Sequence, residues 1–174
     1  MNTIFGAAGL ELVLSVLIGV ITVLVSKTVL VWFYKRQTND ANPYDNLSFM
    51  IYLSGMIFSI SFITYGIMEP LTATFKILED SGENGIDLIT QGIQYAGFFL
   101  MLSYSFSVLV IFISYKLFTA LTTNINEYEE IKANNIGIAI LVVVLTIVTA
   151  MFVKTPFIAY LDSFIPYPEL PRIN

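Results

Sequence analysis

The sequence predicts an all-α polytopic membrane protein, with four transmembrane helices arranged as two parallel two-helix repeats. Three observations predict it. Of the 174 residues, 56% are hydrophobic and only 12% charged, with a mean hydropathy of +0.79; a soluble domain carries roughly a quarter charged residues. The apolar residues fall in blocks of twenty or more, the length that crosses a hydrocarbon core of about 30 Å. Each half of the chain also follows one plan: a span, a polar connection ending in Asn, and a second span.

The spans are predicted at about Leu10–Tyr34, Leu47–Met68, Ile89–Phe118 and Ile136–Phe157. They must be helical, because an open strand in lipid leaves its backbone groups unpaired. The start, Met1 to Leu17, has no basic residue before its apolar run and reads as retained rather than as a signal. The first connection, KRQTNDANPYDN, carries the turn signal Asn42-Pro43 and the N-cap candidates Asp45 and Asn46. The second, Glu69 to Asp87, reads as an acidic loop around Ser81 to Gly85. The third, NINEYEEIKANN, is polar and helical in pattern. Residues 162–174 form a Pro-rich tail, extended and polyproline-like around Pro166, Pro168 and Pro171. The whole chain, 1–174, is one transmembrane domain, with repeat one at about 10–70 and repeat two at about 89–161. Two spans per repeat return the chain to the same side, so the halves share an orientation.

Composition excludes much chemistry. Cysteine and histidine are both absent, which removes disulfides, thiolate and imidazole metal sites, and Ser-His or Cys-His catalysis. No nucleophile and base are paired, so no enzyme, cofactor or metal is expected. The formal charge is −5 with no basic block, which argues against nucleic acid. Lys35, Arg36, Lys116 and Lys132 flank the first and third connections, against Lys76, Lys154 and Arg172 on the other side. That bias puts both termini and the acidic loop outside. Trp32, Phe33 and Tyr34 mark one interface, and Tyr160, Phe164 and Tyr167 the other.

At the matched Asn and Pro positions a resemblance emerges. Glu129 to Met151, EEIKANNIGIAILVVVLTIVTAM, resembles the second repeat of the YjfL-like family of small bacterial inner-membrane proteins, catalogued as a domain of unknown function. Asn42 to Phe62, NPYDNLSFMIYLSGMIFSISF, is similar to the first repeat. The similarity runs from about Leu10 to Leu161; the long acidic segment after Glu69 and the Pro-rich tail depart from it. It implies four spans, the bacterial inner (cytoplasmic) membrane, and company with envelope-stress and peripheral membrane-remodelling proteins. It implies no established activity.

Several residues are candidates for function. Gly55 and Ser59 are a small-xxx-small pair, with Gly66 further along the same span, and mark a close helix contact. Glu11 and Lys27 are sixteen residues apart on span one, about 24 Å along a helix and less than the apolar core. Either one faces the bundle interior, or both reach interfaces by snorkelling, the reading preferred for charges near span ends. Glu69 and Lys154 end spans two and four on one side and either pair across the bundle or stand alone at the interface. Pro70 and Pro156 are expected to end those spans. Asn46 and Asn135 either cap helices, the preferred reading, or bond across the bundle. The serine-rich third span either lines a wet path or packs dry, and dry is the commoner case. Tyr160, Phe164, Tyr167 and Leu170 are candidates for partner docking or for lying on headgroups. Expected partners are the lipid bilayer, other membrane subunits of the same or another chain, and peripheral membrane proteins. The leading expectation is a structural, partner-binding subunit of an envelope complex; a small oligomeric channel or transporter is the alternative.

Overall fold

The computed structural model describes residues 2–40, 42–82, 86–122 and 125–165, with the side chains of the first helix described from Leu12 onward. All the regular elements described are helical: α1 (Asn2–Thr38), a 3-10 turn at Pro43–Asp45, α2 (Leu47–Tyr65), α3 (Met68–Asp80), α4 (Ile86–Leu121), α5 (Glu127–Lys132) and α6 (Ile136–Asp162). Four stretches are long and apolar enough to cross a membrane: Leu12–Thr38, Leu47–Asp80, Ile86–Leu121 and Ile136–Asp162. The chain is therefore a multi-pass membrane protein with extensive lipid contact.

α2 and α6 form the centre. Gly55 allows their closest approach, since a Cβ there would fall inside the Val143 side chain of α6. Gly66 brings the end of α2 against Ile158 of α6. Ser59 is buried and donates to the Gly55 carbonyl at 2.9 Å. Two apolar clusters fill the bundle. One holds Leu30, Tyr34, Phe49, Tyr52 and Phe118 near the first and third connections. The other holds Ile63, Leu71, Phe75, Phe99, Phe157 and Leu161 toward the opposite end.

The acidic loop expected after Glu69 is instead largely helical. α2 ends at Tyr65, just before Pro70, in a tightened turn. Gly66 donates to Ile63 O and Ile67 to Thr64 O, both three residues back. Pro70 has no N–H for the Gly66 carbonyl and its ring crowds that carbonyl, so the chain bends there and restarts as α3. α3 packs on the early part of α4, where a Cβ on Gly92 would enter the Phe75 ring. α4 has 36 residues, about 54 Å at 1.5 Å each, longer than an apolar core of about 30 Å. Pro156, by contrast, does not end its helix, and α6 runs on to Asp162. Neighbouring helices and local adjustment let membrane helices absorb a proline in this way.

Candidate functional site

The densest polar construction lies at the first and third connections. The Asn46 side chain accepts from Phe49 N at 3.0 Å, capping α2, while its amide donates to Ile131 O at 2.8 Å and Lys132 O at 3.1 Å. One side chain thus performs both of the roles weighed for it. In return, Ser48 N donates to the Asn134 side-chain oxygen at 3.1 Å. Asn134 adopts the left-handed backbone (φ 61°), a conformation Asn tolerates because its short amide bonds locally. Asn135 caps α6 through Ile138 N at 3.3 Å and donates to Glu130 Oε2 at 2.8 Å. It stays within its own half, unlike Asn46. The Lys132 ammonium donates to Thr38 O at 2.7 Å, a cation placed at the negative end of α1. α5 therefore ties the end of α1 to the starts of α2 and α6.

Beneath this clamp lies an aromatic layer. The Tyr34 and Phe49 rings are 4.3 Å apart, and Tyr52 meets Tyr128 edge-on at 6.4 Å. Beside them Glu127 is only 4% exposed, and its Oε1 is buried without a hydrogen-bond partner. Burial raises its carboxyl pKa above the ordinary 4.5, against a smaller opposing pull from a backbone hydrogen bond. Tyr128 is pushed up to about 12, chiefly by burial and then by the Glu127 charge. Glu127 faces a cavity of about 10 Å³ bounded by Tyr52, Tyr115 and Tyr128. Sequence reasoning missed Glu127 among the acids of NINEYEEIK. The signal was present: Glu127 and Ile131 are four apart and share the buried face of α5.

A second construction lies between α1 and α2. A crevice of about 270 Å³ is lined by Ile18, Gly19, Thr22, Ser61 and Thr64, among others. The hydroxyls of Thr22 and Ser61 are buried without partners, as is that of Ser26, one turn beyond Thr22. Tyr34 and Ser48, near the first and third connections, also hold buried hydroxyls without a partner, whereas other inward hydroxyls are bonded. Ser103 donates to Thr64 Oγ1 at 2.9 Å, Ser107 to Ser103 O, Ser114 to Val110 O and Thr146 to Val142 O. Ser107 and Ser114 of the serine-rich span thus bond their own helix backbone, while Ser103 bonds across to α2.

The other predicted residues are scattered. Lys27 lies 5.8 Å from the Tyr44 ring centroid, so it reaches along α1 toward the first connection. The Lys154 ammonium, rather than meeting Glu69, sits over Phe62 at 4.2 Å and Tyr65 at 4.9 Å. Tyr160 and Phe164 meet edge-on at 5.1 Å and contact α4 through Phe106 and Phe98. Ile165 is buried. The Glu11 side chain, Tyr167 and Leu170 lie outside the described residues.

Residues 4–156 match the family model described as Domain of Unknown Function (DUF350). No curated protein and no solved structure matches the chain.

Proposed function

We propose that this chain, which belongs to the DUF350 family, is a non-enzymatic structural subunit that assembles with other membrane subunits, its own copies or another chain. The α1–α2 seam carries this reading. Thr22, Ser26 and Ser61 hold hydroxyls that are buried yet unpaired, and an unpaired buried hydroxyl costs about 1–3 kcal/mol. A helix seated in the crevice would supply partners. Gly19, with open space around its Cα, would let that helix come close.

The YjfL-like resemblance supports a bacterial inner-membrane location, and the basic residues of the first and third connections support termini on the outer side. The α3–α4 hairpin would then stand outside, where peripheral proteins meet it. The parallel-repeat plan belongs to the same reading, with α2 and α6 as equivalent inner helices, each begun by an Asn cap. The channel alternative rests on the same hydroxyls: copies that turn their seams to a shared axis would line it with Thr22 and Ser61. Native mass in mild detergent tests the reading. The wild type should run as a complex larger than one 19.5 kDa chain, and Gly19→Leu should reduce it to single chains of unchanged thermal stability. A wild type that is a single chain in membranes and in detergent contradicts it. A conductance altered by Thr22→Val would decide for the channel.

A further inference from the structure

The scaffold reading gives no role to Glu127, and the ground around that carboxylate is built for a cation. The cavity it faces, about 10 Å³, has room for one water-sized group. Its walls are Tyr52, Tyr115, Phe118 and Tyr128 with aliphatic side chains, and aromatic faces attract cations through the ring quadrupole. The one other hydroxyl side chain there, Thr146, already donates to Val142 O at 2.8 Å. The Lys132 ammonium is held at Thr38 O. Glu127 Oε1 therefore remains without a partner among the described residues.

The cavity adjoins a larger crevice of about 440 Å³ between α1, α4 and α5, and the two share Ile111, Tyr115 and Tyr128. That crevice has the size of a small-molecule site. It is mainly aromatic and aliphatic, with Gln37 and Asn126 as its amide groups. Two of its rings already carry a cation: the Lys116 ammonium lies 5.5 Å from the Phe112 centroid and 6.0 Å from that of Tyr115.

We infer that this pocket binds a primary organic ammonium, its head between Glu127 and the rings of Tyr52 and Tyr128, its apolar body along Phe33 and Phe112. Each feature restricts the ligand. An anion would meet a carboxylate and the negative faces of rings. A neutral molecule would leave the carboxylate uncompensated. A quaternary head is larger than the inner cavity. A bare inorganic monocation would find one carboxylate among mostly carbon walls, too few oxygens to replace its hydration shell.

Phenethylammonium is a suitable probe, titrated by calorimetry at pH 8 into the full chain in lipid nanodiscs. Saturable binding is expected, weakened at least tenfold by Glu127→Gln and absent for the neutral isostere 2-phenylethanol. Thermal unfolding checks each variant. Should Glu127→Gln fail to fold, Glu127→Asp, which keeps the charge but draws it back, is expected to weaken binding several-fold. Equal binding by wild type and a folded Glu127 variant overturns the assignment. So does binding of 2-phenylethanol as tight as that of the amine, or displacement of the amine by potassium at lower concentration. Non-saturable uptake into the lipid alone overturns it as well.

Discussion

α2 meets two neighbours in opposite ways. Against α6 and the short α5 that leads into it, it is closed: Gly55 admits the Val143 side chain of α6, Ser59 bonds its own backbone, and Asn46 reaches across to the carbonyls of Ile131 and Lys132 in α5. Against α1 it is open along part of its length: a crevice of about 270 Å³ lies between the helices there, and Thr22 and Ser61 hold unpaired hydroxyls. Burial agrees, with 56% of the most apolar window of α2–α3 buried and only 17% of that of α1. The lipid makes the difference informative. Water would satisfy a stray hydroxyl in a soluble protein, whereas hydrocarbon offers it nothing. The closed contact holds the protomer together, and the open one is where a further subunit has something to complete.

Changes in the closed contact should cost most. Gly55→Leu places a branched side chain where Val143 already sits, and overpacking costs about 1–3 kcal/mol or more. The expected result is a clear drop in thermal midpoint and loss of the folded protein in mild detergent; an unchanged midpoint would place Gly55 outside the contact. Asn46→Ala removes a cap worth about 1 kcal/mol and two bonds across to α5, each worth roughly 0.5–1.5 kcal/mol. It should destabilise by about 2 kcal/mol, whereas Asn135→Ala, with no bond across the halves, should cost closer to 1 kcal/mol. Equal losses would mean that the cross-links contribute nothing.

Glu127 gives a smaller effect that depends on pH. Its folded pKa is raised above 4.5 by burial, so the folded state favours the protonated form. The associated stability is fully present below pH 4.5 and is lost as pH rises through the folded value. Relative to Glu127→Gln, the wild type should therefore become less stable across that window as pH rises, and a difference that does not vary with pH would refute it. The smallest effect on the protomer is expected in the open contact. Thr22→Val removes an unpaired hydroxyl at constant shape, so protomer stability should stay level or rise by up to about 1 kcal/mol, while the share of assembled complex falls. A marked loss of protomer stability would show that Thr22 has a partner inside the chain.

Much of this was legible in the sequence, for identifiable reasons. Spans announce themselves because every lipid-facing residue must be apolar, and Gly55 with Ser59 stood out because small residues four apart mark one helix face. Asn46 and Asn135 were recognisable as caps from their position before apolar runs. Pro156 misled. A proline signals a stop in a soluble helix, and α2 does end just before Pro70, which lies in the first turn of α3, but Pro156 lies within α6. What the sequence hides is which polar groups lack partners. Ser59 and Thr22 look alike in a span, and only the side-chain geometry in the fold separates the hydroxyl bonded to its own helix from the unpaired one. Glu127 was hidden in the same way, since its two acidic neighbours in the third connection, Glu129 and Glu130, drew it into a solvated run.

The seam can be tested most directly by photo-crosslinking in native membranes. A photoreactive residue at Val23, on α1 beside Thr22, is compared with one at Val108, on α4. Both positions are exposed on the isolated chain, so lipid alone would treat them alike. A subunit seated on the α1–α2 seam predicts a discrete protein adduct from position 23, lost when Gly19→Leu is added, and lipid adducts only from position 108. Lipid adducts alone from both positions would contradict it.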